Sequence, residues 1–185
     1  LINSLRQNGR IDCLVHIHVV NPDDGVAAKV NWLREALPGI DIAWSRETVD
    51  LSSYAMPKTY YACSRFLHLP ALMRRYDKPI LVLDMDMLVM RRLDGLLGSL
   101  AGFDAGLIEY DRGRNDMAEH FWASVLYAGT SPSAVSLFED VALYIASFLD
   151  GGRPVWFLDQ VALFAAHAHA ARASHPPRVR LLPGS

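Results

Sequence analysis

The sequence predicts an α/β protein with a three-layer α/β/α arrangement around a mostly parallel, mixed sheet. Runs rich in β-branched residues alternate with segments whose apolar positions recur every three or four residues. Breakers such as "NPDDG" at 21–25 and "PG" at 38–39 separate them. Such alternation implies right-handed crossovers, parallel pairing and helices on both faces of the sheet. With 185 residues and 51% hydrophobic content, the chain is sized for one domain over 1–185 with a substantial core.

Residues 1–9 read as the end of a helix closed by Asn8-Gly9, and "IDCLVHIHVV" at 11–20 reads as a strand. Asp24 is placed to cap a helix over 25–36, with Val26, Val30, Leu33 and Leu37 at helical spacing. "IDIAW" at 40–44 is a second strand, and Ser45 to Pro57 a polar loop. A long helix follows over 58–75, in which Pro70 predicts a kink or a new start. "ILVL" at 80–83, "DAGLIEYD" at 104–111 and "FWASVLYAG" at 121–129 are strands. Ser131-Pro132 opens a helix over 132–149 that Gly151-Gly152 closes, an Ala-rich helix covers 160–172, and "RVRLL" is a final strand.

Eighteen basic and 20 acidic residues give a net charge of −2 without long blocks, which argues against a nucleic-acid-binding face. Cys13 and Cys63 lie far apart and read as two buried thiols in a reducing compartment. No apolar run approaches the ~18 residues of a membrane span, and the N-terminus lacks a signal-peptide layout, so the expected location is cytoplasmic. The chain starts without Met and ends on "LLPGS", as an excised segment would.

Chemistry concentrates at "ILVLDMDMLVM", 80–90, where Asp84 and Asp86 interrupt an apolar run. Two like charges there call for a cation between them. In extended backbone they share a side while Met85 turns into the core. Converging carboxylates at a strand end form a hard oxygen site that favours Mn²⁺ or Mg²⁺ over zinc. Open sheets bind ligands beyond the carboxyl ends of their strands, where these residues fall.

"DKPILVLDMDMLVMRRLDGLL" resembles the D-x-D segment of GT-A glycosyltransferases, especially the retaining, glycogenin-like and galactosyltransferase-like enzymes of glycosyltransferase family 8. "YYACSRFLHLPALMRRYDKP" is similar to the helix upstream of that motif, and "WFLDQVALF" at 156–164 to the family's downstream D-Q helix start. The resemblance covers nearly the whole chain. It implies a GT-A-like fold and a retaining hexosyltransferase that moves a sugar from a nucleotide-diphosphate donor, a UDP-sugar foremost, to a carbohydrate, lipid or protein acceptor. Asp84 and Asp86 would hold Mn²⁺ or Mg²⁺, Arg65 would lie close to the D-x-D loop, pointing toward its carboxylates and the donor phosphates or sugar, and Asp159 and Gln160 would stand at the reacting carbon. The segment would lack the family's first strand and its C-terminal metal-ligating histidine, for which His167, His169 and His175 are the nearby substitutes. "FWAS" at 121–124 departs from the family's F-N-x-G, with Trp122 for an amide and Ser124 for a glycine. These departures motivate the alternative of a noncatalytic GT-A-like binding module within a larger protein.

Other candidates read as structural. His16 and His18 share a strand face without an acidic residue at ligand spacing, and favour sheet packing over a metal. His167 and His169 diverge on their helix. Trp122 and Trp156 read as core or rim residues. A haloacid-dehalogenase-like phosphatase also ends a strand in D-x-D, but Leu88 stands where Thr or Val belongs and the motif falls late in the chain.

Overall fold

Each predicted periodicity becomes an element in the computed structural model, which describes residues 1–9, 11–52, 54, 56–110, 116–152 and 155–184. In chain order these are α1 (Ile2–Ser4, running into a π-helical turn over Leu5–Gly9), β1 (Leu14–Val20), α2 (Val26–Ala36), β2 (Asp41–Glu47), α3 (Pro57–Tyr76), β3 (Ile80–Leu83), α4 (Asp94–Leu100), β4 (Ala105–Glu109), β5 (Phe121–Ala128), α5 (Pro132–Asp150), α6 (Leu158–Ala170) and β6 (Val179–Pro183). The chain divides into two compact units, one of Leu1–Leu51 with Met85–Ser99, the other of Ser52–Asp84 with Leu100–Ser185.

In the first unit β1 and β2 pair in parallel, from Leu14 opposite Asp41 to Val20 opposite Glu47. α2 packs on β2, and Arg34 donates from Nε and Nη2 to the Ile42 carbonyl at 3.0 and 2.8 Å. The residue that orders the start of α2 is Asp23 and not Asp24. Its Oδ1 accepts from the Gly25 N–H at 2.9 Å, and its Oδ2 pairs with Lys29 at 2.8 Å. Asn8 and Ser4 tie the N-terminal turn to Val89, which Asn8 Nδ2 reaches at 2.7 Å. β2 runs on to Glu47, so Ser45, Arg46 and Glu47 belong to a strand and not to the expected loop.

The second unit carries a four-stranded sheet in the order β3-β5-β4-β6. β3 and β4 are antiparallel to β5, and β4 is parallel to β6. The protein is therefore α/β with a mixed sheet, and the expectation of mostly parallel pairing is corrected. β5 is the reason: it runs antiparallel to both β3 and β4, and its connection from β4 is shorter than the dozen or more residues that a parallel crossover requires. β3 also stands at the end of this strand order and not inside it.

α5 and α6 pack on β5, and α3 packs along α5 and α6. Phe66, Leu69, Phe121, Leu126, Phe138, Ile145 and Leu163 are buried there. α3 is one continuous helix through Pro70, ended by Asp77 in left-handed conformation at φ 46°. α5 begins on Ser131, whose Oγ accepts from the Ala134 N–H at 3.0 Å, with Pro132 in the first turn. Among the described residues α5 is the one helix long and apolar enough to cross a bilayer, and its Ala134, Leu137, Phe138, Val141, Ile145 and Leu149 are buried in this core. α4 had no sequence expectation, because its "DGLLGSL" carries two glycines. Asp111, at the end of the strand expected over 104–111, lies outside the described residues, as does Ser185.

Candidate functional site

β3 ends at Leu83, and Asp84 follows as the chain leaves the strand. The Asp84 N–H still donates to the Ser124 carbonyl of β5 at 3.0 Å, so its backbone is fixed by one more rung of the ladder. Met85 and Asp86 then form a turn. Strand alternation stops there, and Met85 is 73% exposed instead of entering the core. Asp86 is exposed as well and falls in the first unit, whereas Asp84 closes the second.

The cation that faces Asp84 is a guanidinium. Arg65, three turns before the end of α3, donates from Nη1 to Asp84 Oδ1 and from Nη2 to Asp159 Oδ2, the latter at 3.0 Å. A planar fork suits this bridging of two carboxylates. Residues far apart in sequence, Arg65, Asp84 and Asp159, thus meet at one point of the second unit. Among the described residues Asp84 Oδ2 has no hydrogen-bond or ion-pair partner, and Arg65 Nε is buried without one. The Arg65 guanidinium also lies 5.1 Å from the Phe66 ring centroid.

Asp159 is 6% exposed, in the first turn of α6, with its own Oδ1 accepting from the Gln160 N–H at 3.0 Å. Burial pushes its carboxyl above the usual range, against the opposing pull of Arg65. Next to it, burial and the Asp159 charge push the Cys63 thiol up to about 12, so Cys63 stays protonated and unreactive at neutral pH. Both cysteines are free, Cys63 buried and Cys13 partly so.

Gln160 faces away from this charge. In the amide orientation that satisfies both ends, its nitrogen donates to the Ala118 and Phe121 carbonyls at 2.6 and 2.8 Å. That fastens α6 to the 3₁₀ turn Met117–Glu119 and the start of β5. Phe157, just before α6, adopts φ 66°, a left-handed conformation rare for a bulky side chain. Its ring and that of Trp156 lie 5.6 Å apart, 40% and 49% exposed, so Trp156 is a rim residue.

No family model and no curated protein matches this chain.

The segment expected to carry F-N-x-G lies beside the cluster. β5 pairs with β4 at Leu107–Leu126 and then at Ile108–Trp122, leaving Ala123, Ser124 and Val125 without β4 partners. This bulge sits where Ser124 meets Asp84, and bulges of this kind re-aim side chains next to functional sites. Trp122 tilts onto Tyr110 with ring centroids 5.5 Å apart. Of the substitute histidines, His167 stands edge-on to Phe121 at 5.3 Å, while His169 and His175 are exposed. Burial first, then the neighbouring His120, lowers the His167 pKa.

Sequence reasoning missed the acidic partner of the strand histidines. Ser45 Oγ lies 2.8 Å from both His16 Nε2 and His18 Nδ1, and Glu47 pairs with His18 Nε2 at 3.1 Å. The β1–β2 register supplies both partners, since His18 is opposite Ser45. Ending β2 at Trp44 hid them.

Proposed function

We propose that this chain is a GT-A-type glycosyltransferase domain that transfers a hexosyl group, with retention, from a nucleotide-diphosphate donor, a UDP-sugar foremost. The observation that carries the reading is the bridging of Asp84, at the mouth of β3, to Asp159, at the start of α6, by Arg65. The D-x-D, arginine-helix and D-Q segments of the resemblance contribute one residue each to that cluster.

Among the described residues, Asp84 keeps one carboxylate oxygen without a partner beside the Arg65 contact. A free carboxylate oxygen fits a hard cation such as Mn²⁺ or Mg²⁺, which completes its shell with waters and substrate phosphates. When bound, such an ion neutralises charge on a departing diphosphate. Arg65 presents donors to anionic oxygens and orients Asp159. Asp159, held by Arg65 and the Gln160 N–H, places negative charge where a donor sugar develops positive charge at its anomeric carbon. Gln160 acts by position, holding the first turn of α6 against β5. The acceptor is a carbohydrate, lipid or protein hydroxyl, and two free thiols suit a reducing, cytoplasmic setting.

A second reading, a noncatalytic binding module, is favoured by Trp122 and Ser124 beside Asp84. Calorimetric titration of UDP with Mn²⁺, together with release of hexose from a panel of UDP-hexoses, separates the two. The transferase reading expects Mn²⁺-dependent UDP binding that Asp84→Asn abolishes, and measurable sugar release. Binding without turnover of any donor supports the module, and absence of Mn²⁺-dependent binding refutes the transferase.

A further inference from the structure

Asp84 and Arg65 differ in how firmly they are held. Both backbones are fixed, Asp84's by its N–H to Ser124 on β5 and Arg65's within α3, but Asp84 carries its carboxylate on a short side chain whereas the guanidinium of Arg65 ends a long, flexible one. Arg65 is therefore the member of the pair that can move. It is also incompletely satisfied, because Nη1 and Nη2 reach carboxylates while Nε, among the described residues, is buried without a partner. A divalent cation on Asp84 would stand against a guanidinium on the same carboxylate, and the two positive charges repel.

On the reading of this site as a nucleotide-sugar site, we infer that Arg65 is a latch that competes with the divalent cation for Asp84 and is released onto the donor's diphosphate. The cation alone has to displace Arg65 and leave it unpaired near the cluster. The diphosphate alone has to draw Arg65 away and leave Asp84 uncompensated. Together they satisfy all three groups, so each strengthens the other's binding by the same factor. The latch keeps the cluster neutralised until cation and diphosphate arrive jointly.

The test is a calorimetric cycle on the full chain with Mn²⁺ alone, UDP alone, and Mn²⁺ at saturating UDP, for wild type, Arg65→Gln and Arg65→Lys. Removing the competitor should tighten binding of Mn²⁺ alone to Arg65→Gln by about fivefold or more, and should cut the Mn²⁺–UDP coupling factor by about tenfold, within the usual span of coupling energies. Arg65→Lys, whose single ammonium cannot bridge both carboxylates, should fall between. Wild-type Mn²⁺-dependent UDP binding combined with equal or weaker Mn²⁺ affinity in Arg65→Gln would overturn the latch and leave the transferase reading standing. Binding of neither Mn²⁺ nor UDP by wild type would overturn both. Should Arg65→Gln not fold, the Arg65 Nε–H resonance of wild type decides: a shift on adding Mg²⁺ supports the latch, and an unmoved signal at saturation refutes it.

Discussion

Asp159 has a guanidinium on one oxygen and the N–H of the next residue on the other, and its carboxyl still titrates above the usual range. Burial outweighs the pairing because Asp159 itself is almost shut off from water, at 6% exposure. The consequence for stability has a definite sign. Between the ordinary carboxylate pKa and the raised folded value, the folded state holds the extra proton, so the stability that Asp159 contributes at low pH is lost as pH rises through that window. Wild type should lose stability relative to Asp159→Asn as pH rises from the ordinary carboxylate range through the raised folded value in urea titrations, and parallel curves would refute the assignment. The motifs made Asp84, Arg65 and Asp159 legible individually, and the need for a positive charge beside Asp84 was legible too. That Arg65 reaches toward the D-x-D carboxylates was legible from the helix motif as well, and it meets Asp84; that its guanidinium stands on Asp84 in the place expected for a metal was not, because the charge comes from a helix and not from the strand's own neighbourhood. Gln160 shows the other limit: its position beside Asp159 suggested chemistry, whereas its amide is turned toward two backbone carbonyls.

Elements were legible where one periodicity ruled, as in α2, α3 and α5, and blurred where pairing decided. β5 carries an ordinary strand composition, and nothing local announces that it reverses direction against β3 or bulges at Ser124. Its exit does leave a trace in the sequence, at Gly129. The Gly129 N–H donates to the Asp104 carbonyl at 2.9 Å, and a Cβ built there would lie 2.5 Å from the Phe103 carbonyl oxygen. Backbone on the far side cannot give way cheaply, so glycine is required by close approach and not by φ. Gly129→Ala should destabilise the protein by about 2–3 kcal/mol in denaturant titrations, the usual cost of overpacking. A loss within experimental error would mean that the β4–β5 corner is looser than described.

Across the whole molecule, the α/β class was legible from alternation, while the sheet order was not, because β6 returns to β4 from far along the chain. Asp104 makes that join: its N–H donates to the Arg178 carbonyl at 2.8 Å, and its Oδ2 accepts from the Arg178 N–H at 2.6 Å, across 74 residues. The order in which a ribosome delivers these residues then matters. At about 5–20 residues per second, β4 leaves the ribosome roughly 4–15 s before its parallel neighbour. During that interval β3, β5 and β4 can already associate, and the open side of β4 offers unsatisfied amides and carbonyls to other nascent chains. Chaperone capture should peak for ribosome-stalled chains that expose β5 but not β6, and a chain ending at Ala173 should aggregate on release. A soluble monomer of that truncated chain with the wild-type melting temperature would show that β6 is dispensable, and that the protein's hazardous moment in biosynthesis lies elsewhere.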